Sequence, residues 1–281
     1  KNASGVTDPM IGLEAMQQAI EIHRGGQLRD VPIDEHLRAL AAIADQPGHA
    51  ELKLEISPLL WHAHEMLFGF AAGVIVGFLL TAVKAWTGLP TPRGALLGTL
   101  AFVWLAARVA AVVAPYPVYA ALDMALLPAV ALILLRVLIK AGNKRNIPLI
   151  SLLVLMATAN LVFHLSALGA IDVPPVAALY AGLALIVMVE CVMAGRVVPM
   201  FTKNVTPGLV INIPRKFELA LLAVTALALA LWVFAPPGPV TLVACAVAAV
   251  LHAVRLWMWH PWVTFKRPIL WILHAAYAWL P

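Results

Sequence analysis

Charge is what this chain has least of. Only 12% of its 281 residues are Asp, Glu, Lys or Arg, where a soluble domain carries about a quarter. With 63% apolar residues and a mean hydropathy of +0.92, that scarcity excludes an ordinary soluble fold. Cysteine is nearly absent as well. Cys191 and Cys245 both lie inside apolar runs, which excludes a disulfide framework and a cysteine metal motif and predicts two buried thiols. Residues 1–58 hold no apolar core long enough for a secretory signal peptide. Lys and Arg are missing from alternate loops of the apolar part, and that absence becomes a topology signal below.

The little charge present is unevenly spread. Residues 1–58 hold five Lys/Arg and nine Asp/Glu, whereas 59–281 hold fourteen Lys/Arg and five Asp/Glu. The basic excess of the second part is scattered over short loops, so it reads as membrane topology and not as affinity for nucleic acid. Two regions follow: a polar helical stretch over 1–56 and a transmembrane part over 57–281. In the first, 9–24 and 33–45 are predicted as short amphipathic helices, with Ile33, Leu37, Leu40 and Ala44 on one face of the second. His23, His36 and His49 have no ligand spacing and read as solvated surface residues.

From Leu59 the apolar runs are 59–83, 94–114, 117–139, 147–169, 174–198, 217–235 and 239–258, with an eighth beginning at 268. Most approach the ~20 residues an α-helix needs to cross a hydrocarbon core. The predicted fold is therefore an all-α, polytopic transmembrane bundle embedded in a lipid bilayer. Pro90-Thr91-Pro92, Pro115-Tyr116-Pro117, Pro174-Pro175 and Pro236-Pro237-Gly238-Pro239 separate the runs. Trp61, Trp86, Trp257, Trp259 and Trp262 sit near run ends as interface anchors. The loops after runs one, three, five and seven carry Lys84 and Arg93; Arg136, Lys140, Lys144 and Arg145; Lys203, Arg215 and Lys216; Lys266 and Arg267. The intervening loops, 115–117, 170–173 and 236–238, carry none. Odd runs are thus expected to cross from outside to inside. The chain starts at Lys1 and stops partway through the eighth run, which reads as a fragment.

Ionisable side chains at bilayer depth are costly and mark function. They fall in two layers. His62, His64, Glu65, Arg108, Asp123, Asn160 and His164 lie toward the outer side; Glu190, Arg196, His252, Arg255 and His274 lie toward the inner. Asn160 and His164 share a helix face at i,i+4, and His252 and Arg255 at i,i+3. His62 and His64 are about 200° apart in a regular helix. His252 and His274 are each six residues from the inner end of their runs, about 9 Å deep. Histidines so placed suit copper, iron or zinc, and helix-borne pairs suit haem iron. The expected metal ligands are His62, His64 and His164, with Asn160 and Glu65 orienting the imidazoles. His252 and His274 are the expected haem ligands; Arg255 and Arg196 pair with carboxylates or haem propionates or snorkel, and for Arg196, at a helix end, snorkelling alone is the alternative. Glu190 reads either as a proton carrier or as an Arg partner. The alternative is a transporter or channel whose pathway these groups line. No catalytic residue is assigned.

Seven blocks carry a resemblance. They are Trp61-His62-Ala63-His64-Glu65-Met66-Leu67-Phe68-Gly69, Gly77-Phe78-Leu79-Leu80-Thr81-Ala82-Val83, Trp86-Thr87-Gly88, Asn143-Lys144-Arg145-Asn146, Asn160-Leu161-Val162-Phe163-His164, Gly195-Arg196-Val197-Val198-Pro199-Met200-Phe201-Thr202-Lys203-Asn204, and Arg267 to His274 with Tyr277-Ala278-Trp279-Leu280. In this order they resemble the NnrS family of bacterial haem- and copper-containing inner-membrane proteins, over about 57–281. The resemblance implies a twelve-span protein of the bacterial inner membrane, of which about eight spans are present. It also implies haem and copper as cofactors and a role in nitric oxide tolerance and denitrification. Members look to have an apolar helix before the first block, where this chain has the polar stretch 1–56.

Overall fold

The structure, a computed structural model, describes residues 56–235 and 238–281, which lie within one compact unit, Leu54–Pro281. The helices expected over 9–24 and 33–45, with His23, His36 and His49, lie outside the described residues. Eight helices follow in chain order: α1 Pro58–Thr87, α2 Ala95–Val113, α3 Tyr116–Lys140, α4 Ile147–Ala167, α5 Pro175–Val205, α6 Arg215–Phe234, α7 Pro239–Met258 and α8 Pro268–Tyr277. Short 3₁₀ turns, Lys144–Asn146 and Pro261–Thr264, precede α4 and α8. Seven helices among the described residues are long and apolar enough to span a membrane; α8, with ten residues, is shorter. The chain is a multi-pass helical membrane protein.

Proline does more than separate these helices. Six of the eight, α1, α3, α4, α5, α7 and α8, carry Pro in their first turn. There its missing N–H is one that no helix satisfies and its fixed φ suits the first turn. Proline also fails to stop α5. The apolar run ends at Val198, yet the helix passes through Pro199 and continues to Val205. Loss of one backbone bond is tolerated there, and Thr202 Oγ1 donates to the Val198 carbonyl at 2.8 Å.

Consecutive helices pack on one another from α2 to α7, and α1 lies against α3 and α5. The main core is the seam among α1, α3, α4 and α5, where Ala72, Leu79, Val130, Leu134, Leu138, Leu153, Met156 and Phe163 are buried. Side chains left exposed, such as Phe70, Phe102, Phe234 and Ile269, are themselves apolar, as a lipid-facing surface requires. Cys191 is buried as expected, but Cys245 is exposed, because helical phase turns it to the outer surface of α7. Polar groups gather at two levels, one in this seam near the Trp61 end and one toward the Lys84 end, among α5, α6, α7 and α8.

A candidate metal centre

The first level begins with an irregularity in α1. Between Glu65 and Ala71 the backbone widens into a π-helix. Such turns recur at functional sites. Trp104 of α2 donates from Nε1 to the Gly69 carbonyl at 2.9 Å. A Cβ on Gly69 would lie 2.7 Å from both Arg108 Nη1 and Glu65 Oε2, so only glycine lets that ion pair rest on the helix.

Above this turn three side chains converge. His64, Asp123 and His164, from α1, α3 and α4, are all buried, and one ligand-type atom of each lies within 4.8 Å of the others. Nε2 of His64 is 3.5 Å and Nε2 of His164 is 3.2 Å from the same oxygen, Asp123 Oδ2. Each imidazole has a tyrosine behind it. Tyr119 Oη lies 2.9 Å from His64 Nδ1, and Tyr116 Oη lies 2.9 Å from His164 Nδ1. Asn160 bridges the trio: its Nδ2 donates to Asp123 Oδ2 at 2.7 Å and its Oδ1 faces His64 Nε2 at 2.8 Å. Arg108 pairs with Asp123 Oδ1, and its Nε lies 2.8 Å from Glu65 Oε2.

Charge and hydrogen-bond accounting say what the cluster can hold. Two carboxylates and one guanidinium, with neutral imidazoles, leave one net negative charge inside an apolar bundle. A buried charge without a partner is expensive, so the cluster suits a cation. The Asn160 amide oxygen and the Asp123 carboxylate place a proton on each Nε2, which leaves each Nδ1 to accept from its tyrosine. Tyr119 has a second acceptor in reach, Glu65 Oε1 at 2.9 Å. Turning its O–H to Glu65 lets His64 carry its proton on Nδ1 and frees Nε2 for a metal with no change in charge. A cavity of about 10 Å³, room for roughly one water, adjoins Arg108 and Asp123 and is otherwise lined by Phe68, Trp104, Ala107, Leu122, Leu126 and Leu127.

Of the three expected ligands, the structure brings His64 and His164 together. His62 is exposed and lies outside the trio, as the 200° separation of the two histidines on α1 requires. Asp123, which sequence reasoning placed at this depth without a ligand role, completes the set. Tyr116 and Tyr119 were missed. The signal was present: Tyr116, Tyr119 and Asp123 are spaced i, i+3, i+7 on one face of α3.

The second level is built differently. His252 is buried, with Nδ1 2.5 Å from Tyr277 Oη and Nε2 3.0 Å from Thr225 Oγ1; Cys191 Sγ is 3.8 Å away. Thr225 donates to the Leu221 carbonyl, so it accepts from His252, and Tyr277 donates to Nδ1. Arg255 is 1% exposed. It donates to Glu218 from Nε and Nη2, at 3.0 and 2.5 Å, and from Nη1 to the Cys191 carbonyl and Tyr277 Oη. It lies so close to α5 that a Cβ on Gly195 would be 1.7 Å from Nη2. His274 meets the Leu270 carbonyl at Nδ1 and Thr202 Oγ1 at Nε2. Both nitrogens of His252 are therefore engaged, whereas the two nitrogens of His274 face oxygens that only accept, Thr202 Oγ1 having its proton on the Val198 carbonyl, so a neutral ring bonds one of them. The rings of Trp259 and Tyr277 pack beside both histidines, centroids 4.5 Å apart. As arranged, these residues do not fit a haem held between His252 and His274. Arg196 lies apart from Arg255, bonded to Asn146, and Glu190 is exposed.

The family profile described as NnrS protein matches residues 36–281. The match thus begins inside the polar stretch, ahead of residue 57. No curated protein and no solved structure matches the chain.

Proposed function

The chain belongs to the NnrS protein family, and from that premise we propose that it is a copper-binding membrane protein acting in nitric oxide tolerance, with His64, Asp123 and His164 as the metal ligands. One observation carries the proposal: two imidazole Nε2 atoms converge on one buried carboxylate oxygen in a cluster that is one positive charge short. Two imidazoles and a carboxylate suit copper, iron or zinc, and the family resemblance favours copper. Copper bound there would supply a redox-active centre able to bind a small neutral ligand.

The protein's own groups do the rest. Tyr119 and Tyr116 hold the two rings at Nδ1 and so aim both Nε2 atoms inward. Arg108 fixes Asp123 from the opposite oxygen and Glu65 takes its other edge. Asn160 keeps the carboxylate from turning. The adjoining cavity, about one water in size, supports a ligand no larger than a diatomic molecule. The apolar seam around it excludes bulk water. Alternation of Lys/Arg-rich and Lys/Arg-free loops supports placing the Trp61 end, and with it this centre, on the outer side of a bacterial inner membrane. Metal analysis of the purified protein tests the assignment. His64→Ala and His164→Ala, each folded by circular dichroism, are expected to lose one copper per chain. Unchanged copper in both overturns it.

A further inference from the structure

We infer that the Lys84 end of the bundle carries a binding site for the phosphate of an anionic phospholipid, built from Arg196 and Arg145 beside Trp86 and Asn146. The argument starts from a missing counter-ion. Arg196 is half-buried in α5, and Nη1 donates to Asn146 Oδ1. Its guanidinium stands 5.6 Å over the ring of Trp86. Among the described residues no carboxylate lies within ion-pair distance of it, and the charge that bears on it is Arg145, of the same sign.

Among the described residues no acid is to spare for this place. Residues 59–281 hold five, Glu65, Asp123, Asp172, Glu190 and Glu218. Glu65 and Asp123 are held by Arg108, and Glu218 by Arg255. Asp172 lies in the α4–α5 link, at the other end of the bundle, and Glu190 is exposed six residues earlier on α5. Meanwhile Lys144 and Arg145 in the α3–α4 turn, and Arg136 and Lys140 in the last turns of α3, are all exposed. A half-buried guanidinium beside a second one, with every acid of the described residues placed elsewhere, suits an anion that those residues do not supply.

The site is also held in place. Asn143 Nδ2 donates to the Trp86 carbonyl at 3.4 Å, and Asn146 Nδ2 donates to Asn143 Oδ1 at 3.1 Å. That chain fixes the Asn146 oxygen against Arg196 and ties the end of α1 to the start of α4. It spends one guanidinium edge on orientation and leaves the remaining fork for a bidentate acceptor, which two oxygens of a phosphate offer. The surroundings name the source. The site sits where three apolar helices end beside a tryptophan, the position of the headgroup layer, and polybasic segments there attract anionic lipid.

Native mass spectrometry of the full chain, released from detergent with phosphatidylglycerol or phosphatidylcholine, tests this. Phosphatidylglycerol is expected to be retained in preference. Arg196→Gln and Arg145→Gln are each expected to weaken its binding about five-fold, the worth of one basic residue near an anionic surface. Asn146→Asp provides a second route should loss of the arginine disturb folding. It gives Arg196 an internal carboxylate, and the lipid is expected to be lost while helicity is kept. Equal retention of phosphatidylcholine, wild-type retention in Arg196→Gln and Asn146→Asp, or full displacement by millimolar inorganic phosphate each overturns the proposal.

Discussion

Replacing Asp123 by Asn changes shape little and charge by one unit, so it isolates what the carboxylate does. Oδ1 receives Arg108; Oδ2 receives Asn160 Nδ2 at 2.7 Å and faces His164 Nε2 at 3.2 Å. Every neighbour is a donor, so either orientation of the new amide turns an NH₂ toward one of them. Breaking a buried pair of this kind costs about 3–5 kcal/mol. The metal feels the change separately. At an effective dielectric of about 20, removing a unit charge about 4 Å from a monovalent cation costs roughly 4 kcal/mol, or about a thousand-fold in affinity. Two assays separate the effects: unfolding of the metal-free protein in a denaturing-detergent titration, and copper titration against a competing chelator at a pH where the variant is folded. A folded Asp123→Asn protein whose copper affinity falls less than ten-fold would refute the charge argument and remove Asp123 from the ligand set.

Tyr119→Phe removes the hydroxyl shared by His64 Nδ1 and Glu65, and copper affinity is expected to fall 10–100-fold with helicity unchanged, read by the same chelator competition. His62→Ala is expected to leave copper content at the wild-type level in elemental analysis, because the side chain is exposed outside the trio. Gly195→Ala puts a methyl group into the Arg255 guanidinium and is expected to cost about 1–3 kcal/mol in detergent-induced unfolding. Single cysteines in 140–146 and in 170–173, labelled from outside intact cells, are expected to react in the second segment and not the first; the reverse pattern inverts the orientation.

Much of this architecture is written in the chain at the level of hydropathy. Each apolar run became a helix, because the length of a bilayer crossing and the prolines at run ends act on composition alone. The end of α5 was not legible from Pro199, since a proline after Val198 marks a helix end in water more reliably than it does in a packed bundle. Depth was legible too: residues expected in the outer layer, His64, Glu65, Arg108, Asp123, Asn160 and His164, meet in one cluster. Azimuth was legible only where spacing carried it. The i,i+2 separation of His62 and His64 already turned one of them away. For His252 and His274, matching depth on neighbouring helices says nothing of where each ring points, and Thr225 and Tyr277 claim both nitrogens of His252. Arg196 and Arg255 share a depth as well, yet Arg255 rests on Gly195 and Arg196 on Trp86.

The widened segment of α1 makes that helix two rods coupled out of phase. One residue is worth about 100° of helical rotation. His64 shares a side of α1 with Ala72, Val76, Leu79 and Val83, all buried, only because Glu65–Ala71 absorbs the difference between them. Loss of any single residue from that segment would leave the hydropathy profile, the span length and every ligand untouched. It would also rotate the whole N-terminal rod against the rest and swing His64 off the seam. In this stretch length is under tighter constraint than identity. Insertions and deletions there are expected to be more damaging to metal binding than nearly any exchange of one apolar side chain for another.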